Sequence, residues 1–187
     1  MKPYLSIITA STLCLTLTAC FDDSDGSSDS DEQDTASEAS GFCPNSEGQE
    51  DREELLRLVN EARESGYTCG DTTYEPAEPL SWHCTIESAA RGHSKDMVSN
   101  DFFSHTGSEG SQPSQRLDNE GYTGWTAVGE NIAAGQPTPA AVVQGWLDSP
   151  GHCSNIMNPA FEDMGVAHEL ASDAQYSIYW TQKFGAQ

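Results

Sequence analysis

Residues 138–184 read TPAAVVQGWLDSPGHCSNIMNPAFEDMGVAHELASDAQYSIYWTQKF, and within them the apolar period changes from helix to strand. Thr138-Pro139 places an N-cap residue before a proline at the first helical position. Val142, Val143, Trp146 and Leu147 then recur at helical spacing until Ser149-Pro150-Gly151 breaks the run. Two strands follow, Met164 to Leu170 and Tyr176 to Phe184. In the second, Tyr176, Ile178, Trp180, Gln182 and Phe184 share one face, and Tyr179, Thr181 and Lys183 the other. Upstream, Leu55, Leu58, Val59 and Ala62 mark a helix from about Gln49 to Glu64, with Gly66 as its stop. A second helix spans roughly Cys84 to Ser99, its apolar stripe formed by Ile86, Ala89, Ala90, His93 and Met97. Asp101 to Gly110 reads as loop, and Ser111 with Pro113 opens a short helix that ends at Gly121. Gly129 and Gly151 read as turn residues, and Trp82, Trp125 and Trp146 as core or loop anchors. Helices followed by strands on short links specify a layered α+β fold, not a doubly wound one.

The first residues belong to export, not to that fold. Lys2 precedes an apolar run from Leu5 to Leu17 that is too short to span a bilayer. The run ends in Leu17-Thr18-Ala19-Cys20, which resembles the lipobox of bacterial lipoproteins. That resemblance implies a signal peptide over residues 1–19, cleavage before Cys20, and acylation of Cys20. Each buried methylene of such an anchor contributes about 0.8 kcal/mol to membrane affinity. The expected location is extracytoplasmic and membrane-anchored, on the outer membrane where the host has one, because Phe21 is not the Asp of a retention signal. Residues 20–41 then form an acidic, Ser-rich tether that cannot bury enough surface to fold.

Residues 42–187 have the length of one domain. The whole chain carries a formal net charge of −22, and from Phe42 onward 22 acidic residues face 7 basic ones. Such a surface repels nucleic acid and anionic head groups, so neither is expected as a partner. Of the six cysteines, Cys14 leaves with the signal and Cys20 is lipidated. Cys43, Cys69, Cys84 and Cys153 remain, enough for two disulfides in any of three pairings. No CxxC pair supports a zinc site built from them.

Eight segments resemble, in order, the bacterial branch of the CAP superfamily (cysteine-rich secretory, antigen 5, pathogenesis-related). They are Leu58–Arg63 (LVNEAR), Leu80–Trp82 (LSW), His93–Met97 (HSKDM), Phe102–Gly107 (FFSHTG), Gly129–Ala133 (GENIA), Gly145–His152 (GWLDSPGH), Asn155–Pro159 (NIMNP) and Tyr179–Gln182 (YWTQ). The resemblance implies a three-layer α-β-α sandwich around a small, three-stranded antiparallel sheet. It also implies a Cys69–Cys153 disulfide, which leaves Cys43–Cys84 as the second.

Many relatives carry two His and two Glu in a surface groove, where they hold a divalent metal, often zinc. By position His105 and Glu130 match that set, whereas the other two places hold Tyr179 and Ser149. His152 is the candidate to complete a zinc site with His105 and Glu130, and His93 points inward near the groove. The same residues also fit a hydrogen-bond network in which Glu130 accepts backbone N–H groups and the His are satisfied internally. No Gly-x-Ser-x-Gly elbow or His-Glu-x-x-His helix is present, so no catalytic residue is assigned. The leading expectation is a monomeric, non-catalytic binding module for a small-molecule or lipid ligand, with no obligatory cofactor. A zinc-assisted hydrolase and a structural envelope or adhesion protein are the alternatives.

Overall fold

The computed structural model describes Cys43 and residues 48–187. The expected signal peptide 1–19, the lipidation site Cys20 and the tether 20–41 lie outside the described residues. Helix α1 spans Gln49–Ser65, followed by a hairpin of β1 (Tyr67–Cys69) and β2 (Thr72–Tyr74). Strand β3 (Ser81–Trp82) leads into α2 (Cys84–Ser99), then α3 (Pro113–Glu120) and β4 (Ala127–Ala134). Helices α4 (Pro139–Leu147) and α5 (Pro150–Ile156) precede β5 (Asp163–Leu170) and β6 (Ile178–Ala186).

The main sheet has the order β3-β5-β6-β4, with α2 and α3 on one face and α1, α4 and α5 on the other. This is the expected three-layer α+β arrangement, with one correction. The sheet has four strands, and β3 joins it parallel to β5. Asn60 makes that possible: its side chain accepts from Leu80 N (2.8 Å) and donates to Leu80 O (3.0 Å), so a side chain replaces the ladder partner that Leu80 lacks.

The helix limits follow the sequence closely. Thr138 Oγ1 accepts from Ala141 N at 3.2 Å, as an N-cap should. Ser149-Pro150-Gly151 ends α4 but also starts α5, with Pro150 at its first position, so Gly151 is helical and not a turn residue. Gly129 is likewise in mid-strand, and a Cβ there would lie 2.7 Å from the Phe161 ring. It makes room for an aromatic contact instead of bending the chain. The hairpin at 67–74 has no counterpart among the expected elements, and β6 begins at Ile178 instead of Tyr176.

Both disulfides form, Cys69–Cys153 and Cys43–Cys84, with Cα separations of 5.5 and 5.3 Å. They close loops whose denatured-state entropy is worth about 4–5 kcal/mol each in the chain-entropy account. Cys69–Cys153 ties the hairpin to α5. The same corner is locked by Arg63, which is fully buried and donates to Glu78 O (2.7 Å), Ile156 O (2.7 Å), Asn158 O (2.9 Å) and Phe161 O (3.3 Å). A guanidinium is well suited here, because the C-terminal carbonyls of α5 have no helical partners and carry partial negative charge.

Helix α2 lies against β5 at Gly165, where an added Cβ would overlap the main-chain nitrogen of Glu87. Neither backbone has a flexible side chain to yield. We therefore expect Gly165→Ala to destabilise the domain by about 2–3 kcal/mol, read as a lower urea midpoint with an unchanged slope. A midpoint equal to that of the wild type would show that the layers separate freely there.

Candidate functional site

The site begins with one cross-strand pair. Glu130 on β4 stands opposite Lys183 on β6 and shares its face of the sheet. Lys183 is completely buried, and its Nζ lies 2.6 Å from Glu130 Oε2 while also donating to Pro113 O at 3.1 Å. Arg116 reaches in from α3, its Nη2 donating to Glu130 Oε2 (2.9 Å), Oε1 (3.2 Å) and His105 O (2.8 Å). His105 places Nδ1 2.9 Å from Oε1. His93, fully buried on α2, lies with Nε2 3.8 Å from Oε1 and 2.9 Å from Ser104 O. The bond to Ser104 assigns the proton to Nε2 of a neutral ring.

Charge and burial oppose one another at this centre. Burial alone would raise the Glu130 carboxyl, but the His105 hydrogen bond and the charges of Lys183 and Arg116 outweigh it and hold the group at about 2. Burial lowers Lys183 to about 8 despite Glu130, and lowers His93 to about 4. His152 is lowered by burial and by the nearby His105.

On the opposite face a neutral network fixes the same strand. Asn155 donates to Glu130 O (3.2 Å) and Asn131 Oδ1 (2.8 Å), and Asn131 donates to His152 O (3.1 Å) and Gln182 Oε1 (3.0 Å). His152 is thus held by its main chain at the start of α5, and its ring borders a groove of about 570 Å³ shared with His105. Ile132, Ala133 and Ala134 form the floor. Phe103, Ser104 and Tyr176 rise on one side, and Gln136, Trp146 and Ser149 on the other.

The three expected site residues His105, Glu130 and His152 all come to this region of the structure. Tyr179 is not part of the groove surface: it is fully buried against Met97 and Ile132, and its hydroxyl accepts from Tyr176 N at 3.4 Å. The expected network exists, but Glu130 accepts from charged side chains, not from backbone N–H groups. Lys183, Arg116, Asn131 and Asn155 are members that sequence reasoning missed. A lysine within a strand of aromatic and apolar residues was the one available signal.

These donors do not suit a divalent metal. Both Glu130 oxygens are already engaged by an ammonium, a guanidinium and an imidazole N–H, so a cation at the carboxylate would meet two fixed positive charges. Among the described residues, no group of three or more His, Cys, Asp or Glu converges for metal binding.

Residues 56–184 match the cysteine-rich secretory protein family, CAP. The chain is 37% identical over 107 residues to the uncharacterized protein YkwD of Bacillus subtilis, covering 57% of this chain and 39% of that protein. It is 34% identical over 105 residues to the uncharacterized membrane protein YlbC of the same species, covering 56% and 28%. It thus spans well under half the length of either curated relative. Among solved structures, an extracellular SCP-domain protein of Bacillus anthracis superposes with a TM-score of 0.59 at 31% identity, covering 72% of this chain and 40% of that one. An outer surface protein of Borrelia burgdorferi superposes with a TM-score of 0.63 at 22% identity, covering 76% and 96%, and shows likeness of fold.

Two measurements probe the buried centre. Lys183→Met leaves Glu130 buried without its nearest cation and should cost about 3–5 kcal/mol, while adding Glu130→Gln should restore much of that loss. Additive losses in the double variant would contradict direct coupling. The acid limb of stability should carry two steps of the same sign. His93 ionises near 6.5 when unfolded and about 4 when folded. Its contribution, about 3 kcal/mol, is complete above pH 6.5 and lost as pH falls to 4. Glu130 contributes above its unfolded value of 4.5 and loses that contribution as pH falls toward 2. In urea midpoints measured against pH, His93→Leu should flatten the first step and retain the second.

Proposed function

This chain belongs to the cysteine-rich secretory protein (CAP) family, and on that premise we propose that it is a non-catalytic binding module displayed outside the cell. Its groove takes a small ligand with an apolar portion, and an acidic tether carries the domain from a lipid-modified Cys20. The observation that carries this reading is the contrast between the groove and the acid beneath it. Glu130 is fully engaged and held at about 2, so it is a weak base near neutral pH. The groove above it stays open, and Phe103 and Tyr176 expose 46% and 37% of their surface at its rim. Their rings stand 6.2 Å apart, and each also packs on Tyr179 beneath. Exposed aromatics on a rigid base offer apolar contact area at low entropic cost.

The display half of the proposal is supported by Leu17-Thr18-Ala19-Cys20 and by relatives described as an extracellular and an outer surface protein. The hydrolase alternative draws no support from a carboxylate saturated by Lys183 and Arg116.

Titration of the full-length protein with a dansylated fatty acid tests the groove. Saturable fluorescence enhancement is expected, weakened at least tenfold by the pair Phe103→Ala and Tyr176→Ala. Equal binding by that double variant would remove the groove from the explanation. Labelling with a palmitate analogue tests the anchor: Cys20→Ala should abolish incorporation and release the protein from membranes.

A further inference from the structure

The floor of the groove is a sheet edge. Strand β4 pairs with β6 on one side only, and among the described residues no strand pairs with its other side. The direction of each main-chain group follows from two bonds. Just beyond β4, Gly135 N donates to Ile178 O at 2.9 Å, so the odd-numbered residues of this stretch turn their N–H and C=O groups toward β6. Even-numbered residues therefore turn theirs to the free edge. Asn155 agrees with this alternation, because its amide reaches Glu130 O from that side.

The next even positions are Ile132 and Ala134. Among the described residues, no hydrogen bond reaches the free-edge N–H and C=O groups of either residue. Two donors and two acceptors thus stand two residues apart along the groove floor, at the repeat of an extended chain. A second observation concerns the wall. Among the described residues, the indole N–H of Trp146, only 1% exposed, has no hydrogen-bond partner, and neither has Oε1 of Gln136, which lines the same groove. Buried polar groups of this kind are normally satisfied, so one donor and one acceptor left open in the same groove fit a ligand that carries both.

We propose that the groove binds a short extended peptide segment, which adds to β4 as a strand through the main-chain groups of Ile132 and Ala134. This deepens the binding-module reading and rests on it. An acyl chain satisfies none of these edge groups, whereas a peptide satisfies them with its own amides. Asn155 already occupies Glu130 O, which limits the added strand to about three residues at the repeat of an extended chain. Its side chains alternate between the wall of Phe103, His105 and Tyr176 and the wall of Trp146 and His152. No carboxylate lines the groove and aromatics dominate its rim, so uncharged, apolar side chains are favoured.

The test uses the full-length protein and three probes: acetyl-Ala-Leu-Ala-amide, the same peptide methylated on all three residue nitrogens, so that the edge-facing N–H is removed in either strand direction, and a dansylated fatty acid. Amide NMR titration should show the unmodified peptide shifting Ile132 and Ala134, with at least tenfold weaker binding after methylation. Ala134→Pro removes a free-edge N–H and no bond to β6, so it should weaken the peptide at least tenfold and leave the melting temperature within a few degrees. Ala133→Pro removes a ladder bond and should lower the melting temperature sharply. Equal binding of the methylated peptide, retained peptide binding in Ala134→Pro, or equal melting losses in both proline variants would each overturn the proposal. Fatty-acid binding without peptide binding overturns the peptide assignment alone, whereas failure of all three probes overturns the binding-module reading as well.

Discussion

The centre of this domain is the ion pair between Glu130 and Lys183. Moving either charge from water into the sheet–helix layer is costly on its own, and only their mutual attraction with further hydrogen bonds makes the burial tolerable. The remaining lone pairs of Glu130 are met by Arg116 and His105, and the Lys183 ammonium also donates to the Pro113 carbonyl. One carboxylate thereby joins β4, β6, α3 and the loop that carries His105. Arg116 extends the constraint by donating to the carbonyls of His105 and Ser111. The loop over residues 103–111 has little apolar surface of its own, so these polar bonds are what set the groove wall. A network so completely shared fixes geometry and suppresses reactivity.

The opposite face is organised by a different set of contacts. Arg63 donates to four main-chain carbonyls, and Cys69–Cys153 joins the same corner covalently. Helix α5 is only seven residues long and would not persist alone. Its middle is held by the disulfide at Cys153, and its C-terminal end by Arg63 at Ile156 O and by Asn155 reaching β4. His152 and Trp146 are therefore placed on a rigid wall, facing a loop wall fixed by Glu130. Two independent fastenings define the two sides of one groove.

Much of this is legible in the sequence, and the exceptions share a cause. Helices α1, α2 and α4 announce themselves because one face is apolar and their ends carry recognisable signals. Strand β4 does not, because Gly129, Glu130 and Asn131 are polar or small on both faces: one face meets the ionic centre, the other the asparagine network. Alternation reports burial against apolar layers, and here both layers are polar at that point. Gly129 reads as a turn for the same reason, when its role is to admit Phe161. Lys183 lies 53 positions from Glu130 in the numbering, and nothing local signals that pairing. Helix α5 is hidden because Ser149-Pro150-Gly151 stops one helix and starts the next in the same three residues.

The unpaired edge of β4 also bears on how such a domain limits pairing with other sheets. Unpaired strand edges recruit other chains, and most sheets blunt them with charge, proline or a bulge. Strand β6 avoids the problem by lying between two neighbours, and β3 is only two residues long. At β4 the device is the pair of walls. Asn155 closes the edge at Glu130, and the flanking loop and helix leave a slot over Ile132 and Ala134 alone. Walls on both sides of an edge favour a single extended segment over the broad edge of a second sheet. The walls that would hinder edge-to-edge pairing are thus the same ones that would restrict the proposed occupant to a narrow, hydrogen-bonding segment.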